Sequence, residues 1–151
     1  MQALVRYLPT VARTLLGLAF TVFGLNGFLH FLPMPPLSGP AGDFFGALAA
    51  TGYFLPLLKG TEVIAGLLLL SGRLVPLALV LLAPIVVNIA FYHFALTPGE
   101  VGAAIALVVL EGFLAWAYRD AFRGVLDTRA KPRIALGNAS PATAKRELSA
   151  T

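Results

Sequence analysis

Residues 74–96 read LVPLALVLLAPIVVNIAFYHFAL and contain no aspartate, glutamate, lysine or arginine. About 20 apolar residues suffice for a helix to cross the roughly 30 Å hydrocarbon core of a bilayer. Residues 11–32, 53–71 and 98–118 form three further apolar segments of similar length. Because lipid offers no water to the backbone, helix is the expected conformation of all four. The sequence therefore predicts an all-α integral membrane bundle of four transmembrane helices.

The composition agrees with a membrane protein. Of the 151 residues, 58% are hydrophobic and only 12% are charged. The absence of cysteine removes disulfides, thiolate metal sites and thiol redox chemistry. The net charge of +4 comes from basic residues beside the apolar segments. Such residues are typical topology signals, so nucleic acid is not an expected partner.

The distribution of lysine and arginine predicts the orientation. Ten of the eleven lie before or at the start of the first segment, between the second and third, or after the fourth, and the exception is Lys59 inside the second. The positive-inside rule therefore places both termini in the cytoplasm. Residues 1–123 form the predicted membrane domain, and residues 124–151 a disordered basic tail. The first segment has a basic flank like that of a signal peptide, but its length predicts a retained helix.

The connections between the segments have their own signals. Residues 97–100 read TPGE, which predicts a capping box at the start of the fourth helix. Gly72 and Arg73 leave space only for a tight hairpin. Prolines make residues 33–42 irregular, and Asp43 is then expected to cap a short interfacial helix that ends near Thr51. Pro84 is expected to bend the third helix and to leave the carbonyl of Val80 without its helical partner.

Seven polar residues of the apolar segments are the candidate ligand-binding or proton-relay residues. Such residues usually face a bundle interior or a watery cavity, because a charge in hydrocarbon costs several kcal/mol. From the helical rise we expect most of them within about 13 Å of the outer face, and the glutamate of the fourth segment near the midplane. The seven residues are Asn26, His30, Lys59, Glu62, Asn88, Tyr92 and Glu111.

Each candidate also has a structural interpretation. Lys59 and Glu62 lie three residues apart, so they are either an ion pair that stabilises the bundle or a site for a polar head group. Asn26 and Asn88 can hydrogen-bond between helices. Glu111 can bind water, contact Lys59 or be protonated. No metal-binding motif is present, and haem ligation by His30 and His93 is the less favoured cofactor hypothesis. The glycines expected to allow close helix packing are Gly17, Gly24, Gly27, Gly60, Gly66 and Gly112.

Several short motifs resemble the DoxX family of small bacterial four-helix membrane proteins. They are GLAF at 17–20, FGLNG at 23–27, KGTE at 59–62, AGLLLLSG at 65–72, PIVVN at 84–88 and WAYRD at 116–120. The resemblance covers about residues 10–123. It implies a redox-associated membrane role, since members of the family include subunits linked to quinone-dependent sulfur oxidation and to oxidative-stress complexes. Glu62 is the first position to which the resemblance assigns a role.

These observations lead to one principal functional hypothesis and two alternatives. The chain is expected to bind a quinone or another small ligand in a polar cavity in the outer half of the bundle. Any enzymatic role is expected to be at most that of a subunit of a quinone-linked oxidoreductase. The alternatives are a transporter or channel gated by Lys59 and Glu62, and a structural subunit without enzymatic activity. The expected partners are the bilayer, membrane redox subunits and further copies of the chain.

Overall fold

The computed structural model describes residues 2–34 and 36–129, which are helical and contain no strand. Four of the five α-helices in these ranges are long and apolar enough to cross a membrane, as predicted. The remaining helix, Gly39–Ala50, has 12 residues and is too short. The helices are α1 (Gln2–Leu29), α2 (Gly39–Ala50), α3 (Phe54–Ser71), α4 (Val75–Leu96) and α5 (Val101–Ala117), with single 3-10 turns at Pro98–Glu100 and Arg119–Phe122.

The four long helices form a closed bundle. Helix α1 packs against α3 and α5, and α4 packs against the same two helices, so neighbours along the chain are also neighbours in the bundle. Each long helix contributes one fully buried leucine to the core: Leu16, Leu69, Leu82 and Leu114. We call the end at the α3–α4 connection the hairpin end, and the opposite end, where α1 and α4 finish, the α2 end.

Large apolar side chains cover the outside of the bundle. Exposed examples come from all four long helices and include Leu15, Ile64, Phe91 and Val109. Contiguous apolar surface of this extent is unusual on a water-soluble monomer and is expected where the solvent is lipid. The surface thus agrees with the length and hydropathy of the helices, and the chain is a multi-pass membrane protein.

The hairpin between α3 and α4 is as tight as predicted. Gly72 adopts a left-handed conformation with φ of 71°, and its N–H donates to the carbonyl of Leu69 at 3.1 Å. Glycine adopts this conformation without the steric cost that a Cβ atom brings. Leu74 is also left-handed, with φ of 53°, and α4 begins directly after it.

Helix α1 differs from its predicted range of 11–32 at both ends. It is helical from Gln2, through Pro9, and it ends at Leu29. The early end has a local cause, because the Asn26 Oδ1 atom accepts a hydrogen bond from the N–H of Leu32 at 2.6 Å. His30 takes a left-handed conformation, with φ of 51°, as the chain turns back. The polar side chain therefore replaces a helical carbonyl and ends the helix.

Helix α2 begins five residues earlier than predicted. It starts at Gly39 with Pro40 in its first turn, where a missing N–H costs no hydrogen bond. The prediction of irregular structure was therefore wrong for residues 39–42, and Asp43 lies inside the helix rather than at its N-cap. Ser38 has the N-cap position but makes no side-chain capping bond.

The predicted capping box at residues 97–100 was also wrong. The hydroxyl of Thr97 is buried and has no hydrogen-bond partner in residues 2–34 and 36–129, and the N–H of Glu100 donates instead to the backbone carbonyl of Thr97 at 2.9 Å. The first turn is a 3-10 turn, in which this backbone bond takes the place of the side-chain bond that a capping box requires.

Glycines bring α1 and α3 into close contact. Gly17 packs against the backbone of Gly66, and Gly24 and Gly27 pack against α3 nearer the α2 end. These positions confirm the predicted use of small residues where lipid removes the hydrophobic drive for helix association. The prediction was wrong for Gly60 and Gly112, because a Cβ atom added at either would have no neighbour within 4 Å.

Candidate functional site

Lys59 and Glu62 form an ion pair on α3, as their spacing predicted. The Lys59 Nζ atom donates to both carboxylate oxygens of Glu62, at 2.8 and 3.1 Å. The carboxylate side chain is 4% exposed and the lysine side chain 26% exposed. Hydrogen bonds between opposite charges are among the strongest in proteins, and this pair keeps the buried carboxylate neutralised.

Two glycines of α1 make room for this ion pair. A Cβ atom on Gly27 would collide with the aliphatic stem of Lys59, and one on Gly24 would lie 3.1 Å from the Cβ atom of Glu62. The pair is therefore part of the α1–α3 contact, about 8 Å from the start of α3 at the α2 end. Within the part of the chain that the structure describes, neither group has a third polar partner.

Asn26 lies in the last turn of α1 and His30 directly follows that helix, so both are near the α2 end of the bundle. Neither side chain is hydrogen-bonded to the ion pair. The buried amide of Asn26 accepts from the Leu32 N–H, and its Nδ2 atom donates to the Leu32 carbonyl at 3.4 Å. His30 is exposed in the turn after α1. Asn26 therefore shapes the connection to α2, and its role in binding a ligand stays a prediction.

Tyr92 packs α4 against α2. Its ring centroid lies 5.9 Å from that of Phe44 and 5.2 Å from that of Phe45. The hydroxyl of Tyr92 is buried and has no hydrogen-bond partner among the described residues. The ring thus explains how the short helix is attached to the bundle, while a ligand-binding role for the hydroxyl stays a prediction.

The two histidines have different surroundings from one another. The Nδ1 atom of His93 is 2.8 Å from the carbonyl of Ile89, which can only accept, so Nδ1 carries the proton. His30 has no comparable bond in the described ranges. Residues 2–34 and 36–129 contain no group of three or more histidine, aspartate or glutamate side chains placed to hold a metal ion.

Glu111 is the one candidate residue that lines the cavity between α4 and α5. This cavity has a volume of about 370 Å³, and its other lining residues are apolar, including Leu79, Val80, Ala83, Val108 and Gly112. Both carboxyl oxygens are buried without a hydrogen-bond partner among the described residues. Because Pro84 has no N–H, the carbonyl of Val80 also lacks its usual helical donor. The walls of the cavity are thus apolar, and the buried carboxyl group of Glu111 lies next to them.

The cavity lies in a different place from the one that the sequence predicted. Glu111 is six residues, or about 9 Å, from the end of α5 at the hairpin end. The predicted site was nearer the α2 end. Sequence reasoning missed Ala83 on α4 and Ala115 on α5, and it assigned Gly112 to close helix packing, although all three line the cavity and leave its space open. The available sequence signal was that Gly112 and Ala115 follow Glu111 by one and four residues on the same helix.

Asn88 differs from the other candidates because it is exposed. It lies on α4, one turn after Pro84, and makes no side-chain hydrogen bond within the described ranges. Asn88 therefore does not face the bundle interior, where polar residues of the apolar segments were expected to lie.

Comparison with known proteins gives no relative on which an assignment could rest. No family model, no curated protein and no solved structure matches this chain. The DoxX resemblance stays a prediction from short motifs, and any function must be argued from the geometry of the residues.

Proposed function

We propose that this chain is a membrane subunit that binds a quinone or a quinone-like small ligand in the α4–α5 cavity, with Glu111 contacting the head group. The observation that carries the proposal is the buried carboxyl group of Glu111 beside an otherwise apolar cavity, where no other described residue hydrogen-bonds to it. An unsatisfied buried polar group is costly, and a ligand that pairs with it removes that cost. The volume of about 370 Å³ lies within the usual range for small-ligand sites.

The chemistry of a carboxyl group suits both oxidation states of a quinone. When protonated, Glu111 can donate a hydrogen bond to a quinone carbonyl, and when ionised it can accept one from a quinol hydroxyl. The carbonyl of Val80 offers a second acceptor for a hydroxyl group. Reduction of the quinone requires two electrons and two protons. This cysteine-free chain has no thiol redox group, so we assign the electrons to a partner subunit.

A substitution series at the cavity tests the ligand proposal. We expect Glu111→Ala to weaken binding of a short-chain ubiquinone about tenfold or more, because a hydrogen bond to a buried polar group is lost. Gly112→Leu should also weaken binding by filling the cavity. Equilibrium dialysis of the purified full chain in mild detergent measures the binding of added quinone. Mass spectrometry of the native extract separately measures the quinone that the protein retains on purification.

The two matched controls are Glu100→Ala, which changes an exposed glutamate before α5, and Glu62→Gln, which changes the ion pair. Glu100→Ala should bind like the wild-type chain. A loss of binding in Glu62→Gln, with Glu111→Ala unaffected, would move the site to the half predicted from the sequence. Absence of quinone binding by the wild-type protein would contradict the proposal as a whole.

We also propose that the chain is a DoxX-like inner-membrane protein, with the start of α1 and the residues after α5 on the cytoplasmic side and α2 in the opposite interface. The charge distribution and the family resemblance support this arrangement. The packing of α2 against Tyr92, near the end of α4, fits an interfacial position.

The lack of native cysteine makes the orientation simple to test. In intact bacterial spheroplasts we expect a membrane-impermeant maleimide to label Ala50→Cys in α2 but not Ala121→Cys after α5. Both positions are exposed. Ala121→Cys should become labelled only after the membrane is broken, and the opposite pattern would reverse the assigned orientation.

A further inference from the structure

Asn88 is a polar side chain on the exposed face of a helix long enough to cross a membrane. The helix continues for eight residues beyond it, or about 12 Å, so the amide lies well below the end of the span. Pro84, Val87 and Phe91 lie next to it on the exposed face, and Ala95 lies two turns further along. An amide without a hydrogen-bond partner is unfavourable in hydrocarbon, which indicates that another molecule covers this face.

The exposed residues of α4 follow the spacing of a helix-pairing seam. Pro84, Asn88, Phe91 and Ala95 are separated by four, three and four residues, and Leu77 lies one heptad before Pro84. This alternation places side chains along one line that faces a second helix in a left-handed pair. A single asparagine in such a seam commonly fixes the register and the number of helices.

We propose that the partner is a second copy of this chain, which forms a two-fold symmetric dimer through the α4 face with the two Asn88 amides hydrogen-bonded to each other. An amide carries both donors and an acceptor, so it is complementary to itself. Two copies inserted in the same orientation hold Asn88 at the same depth, and a two-fold axis along the membrane normal brings the amides together. A different protein would need its own polar residue at that depth.

The dimer does not depend on the proposed ligand. Asn88 is not among the residues that line the α4–α5 cavity. Asn88→Leu is therefore expected to leave quinone binding unchanged while it weakens association, and Glu111→Ala is expected to do the reverse. The two proposals can fail separately.

Association is measured by Förster transfer between labelled full-length chains in liposomes over a range of protein-to-lipid ratios. We expect Asn88→Leu to weaken the dimer about 3- to 30-fold, as removal of an interhelical amide contact does in membranes. Asn88→Gln should retain much of the association, because it keeps the amide. Circular dichroism should show unchanged helix content, since Asn88 makes no side-chain hydrogen bond within residues 2–34 and 36–129.

Cross-linking locates the interface. Phe91→Cys lies on the proposed seam, whereas Val109→Cys is exposed on α5, and the native chain has no cysteine. Oxidation in liposomes should form a disulfide-linked dimer of Phe91→Cys much faster than of Val109→Cys. A monomeric wild-type chain, an Asn88→Leu variant that associates normally, or faster cross-linking at residue 109 would each overturn the proposal.

Discussion

Replacing Lys59 by methionine is expected to destabilise the bundle by about 3–5 kcal/mol, the usual cost of breaking a buried ion pair. The substitution keeps an unbranched side chain over Gly27 but leaves the carboxylate of Glu62, which is 4% exposed, without its cation. We place the effect toward the lower end of this range because the lysine side chain is 26% exposed. Unfolding in mixed micelles with rising dodecyl sulfate, followed by circular dichroism, measures the change.

The two members of the pair should not be equivalent. Glu62→Met should cost less than Lys59→Met, because the partly exposed amine can extend its flexible stem toward polar surroundings. The double variant Lys59→Met/Glu62→Met should recover most of the lost stability, since apolar side chains of similar volume often replace a buried pair without loss. Full stability of Lys59→Met would show that the pair does not stabilise the bundle.

Gly66→Ala is expected to destabilise the bundle by about 1–3 kcal/mol, although it adds a single methyl group to a helix. The new Cβ atom would lie 2.5 Å from the Thr21 Oγ1 atom, 2.7 Å from the Thr21 N atom and 2.9 Å from the Gly17 carbonyl oxygen. Two of these neighbours belong to the backbone of α1 and cannot rotate away. The helices must therefore separate, and the same unfolding measurement reports the loss.

Gly60→Ala is the matched control for this prediction. It makes the same chemical change in the same helix, but its Cβ atom would meet nothing within 4 Å. Alanine favours helix over glycine by roughly 1 kcal/mol, so this variant should be as stable as the wild-type chain or slightly more stable. Equal destabilisation of both variants would show that close α1–α3 packing is not the cause.

Hydropathy predicted the membrane helices because their length is set by the thickness of the bilayer. The starts of α3 and α4 lie within one residue of prediction, and their ends match it. The ion pair followed from a spacing of three residues on one helix. These features are local, and local pattern is what a sequence expresses most directly. The end of α1 was less predictable, because it depends on the Asn26 side chain reaching forward to Leu32.

The position of the cavity and the exposure of Asn88 could not be read from the sequence. Helix α4 is apolar on all sides, so its pattern does not determine which face turns toward its neighbours. Asn88 and Tyr92 are one turn apart, yet the first is exposed and the second partly buried. The cavity depends on Ala83 lying near Gly112 and Ala115 of another helix, and that register is a property of the assembled bundle.

The ion pair of α3 also bears on how the chain enters the bilayer. Each isolated charge near the centre of a membrane helix costs several kcal/mol during insertion. Lys59 and Glu62 are three residues apart on the same helix, so their mutual neutralisation requires no other part of the protein. Helix α3 therefore carries its own counter-ion into the membrane, and the charges can be neutralised before α4 and α5 have been synthesised.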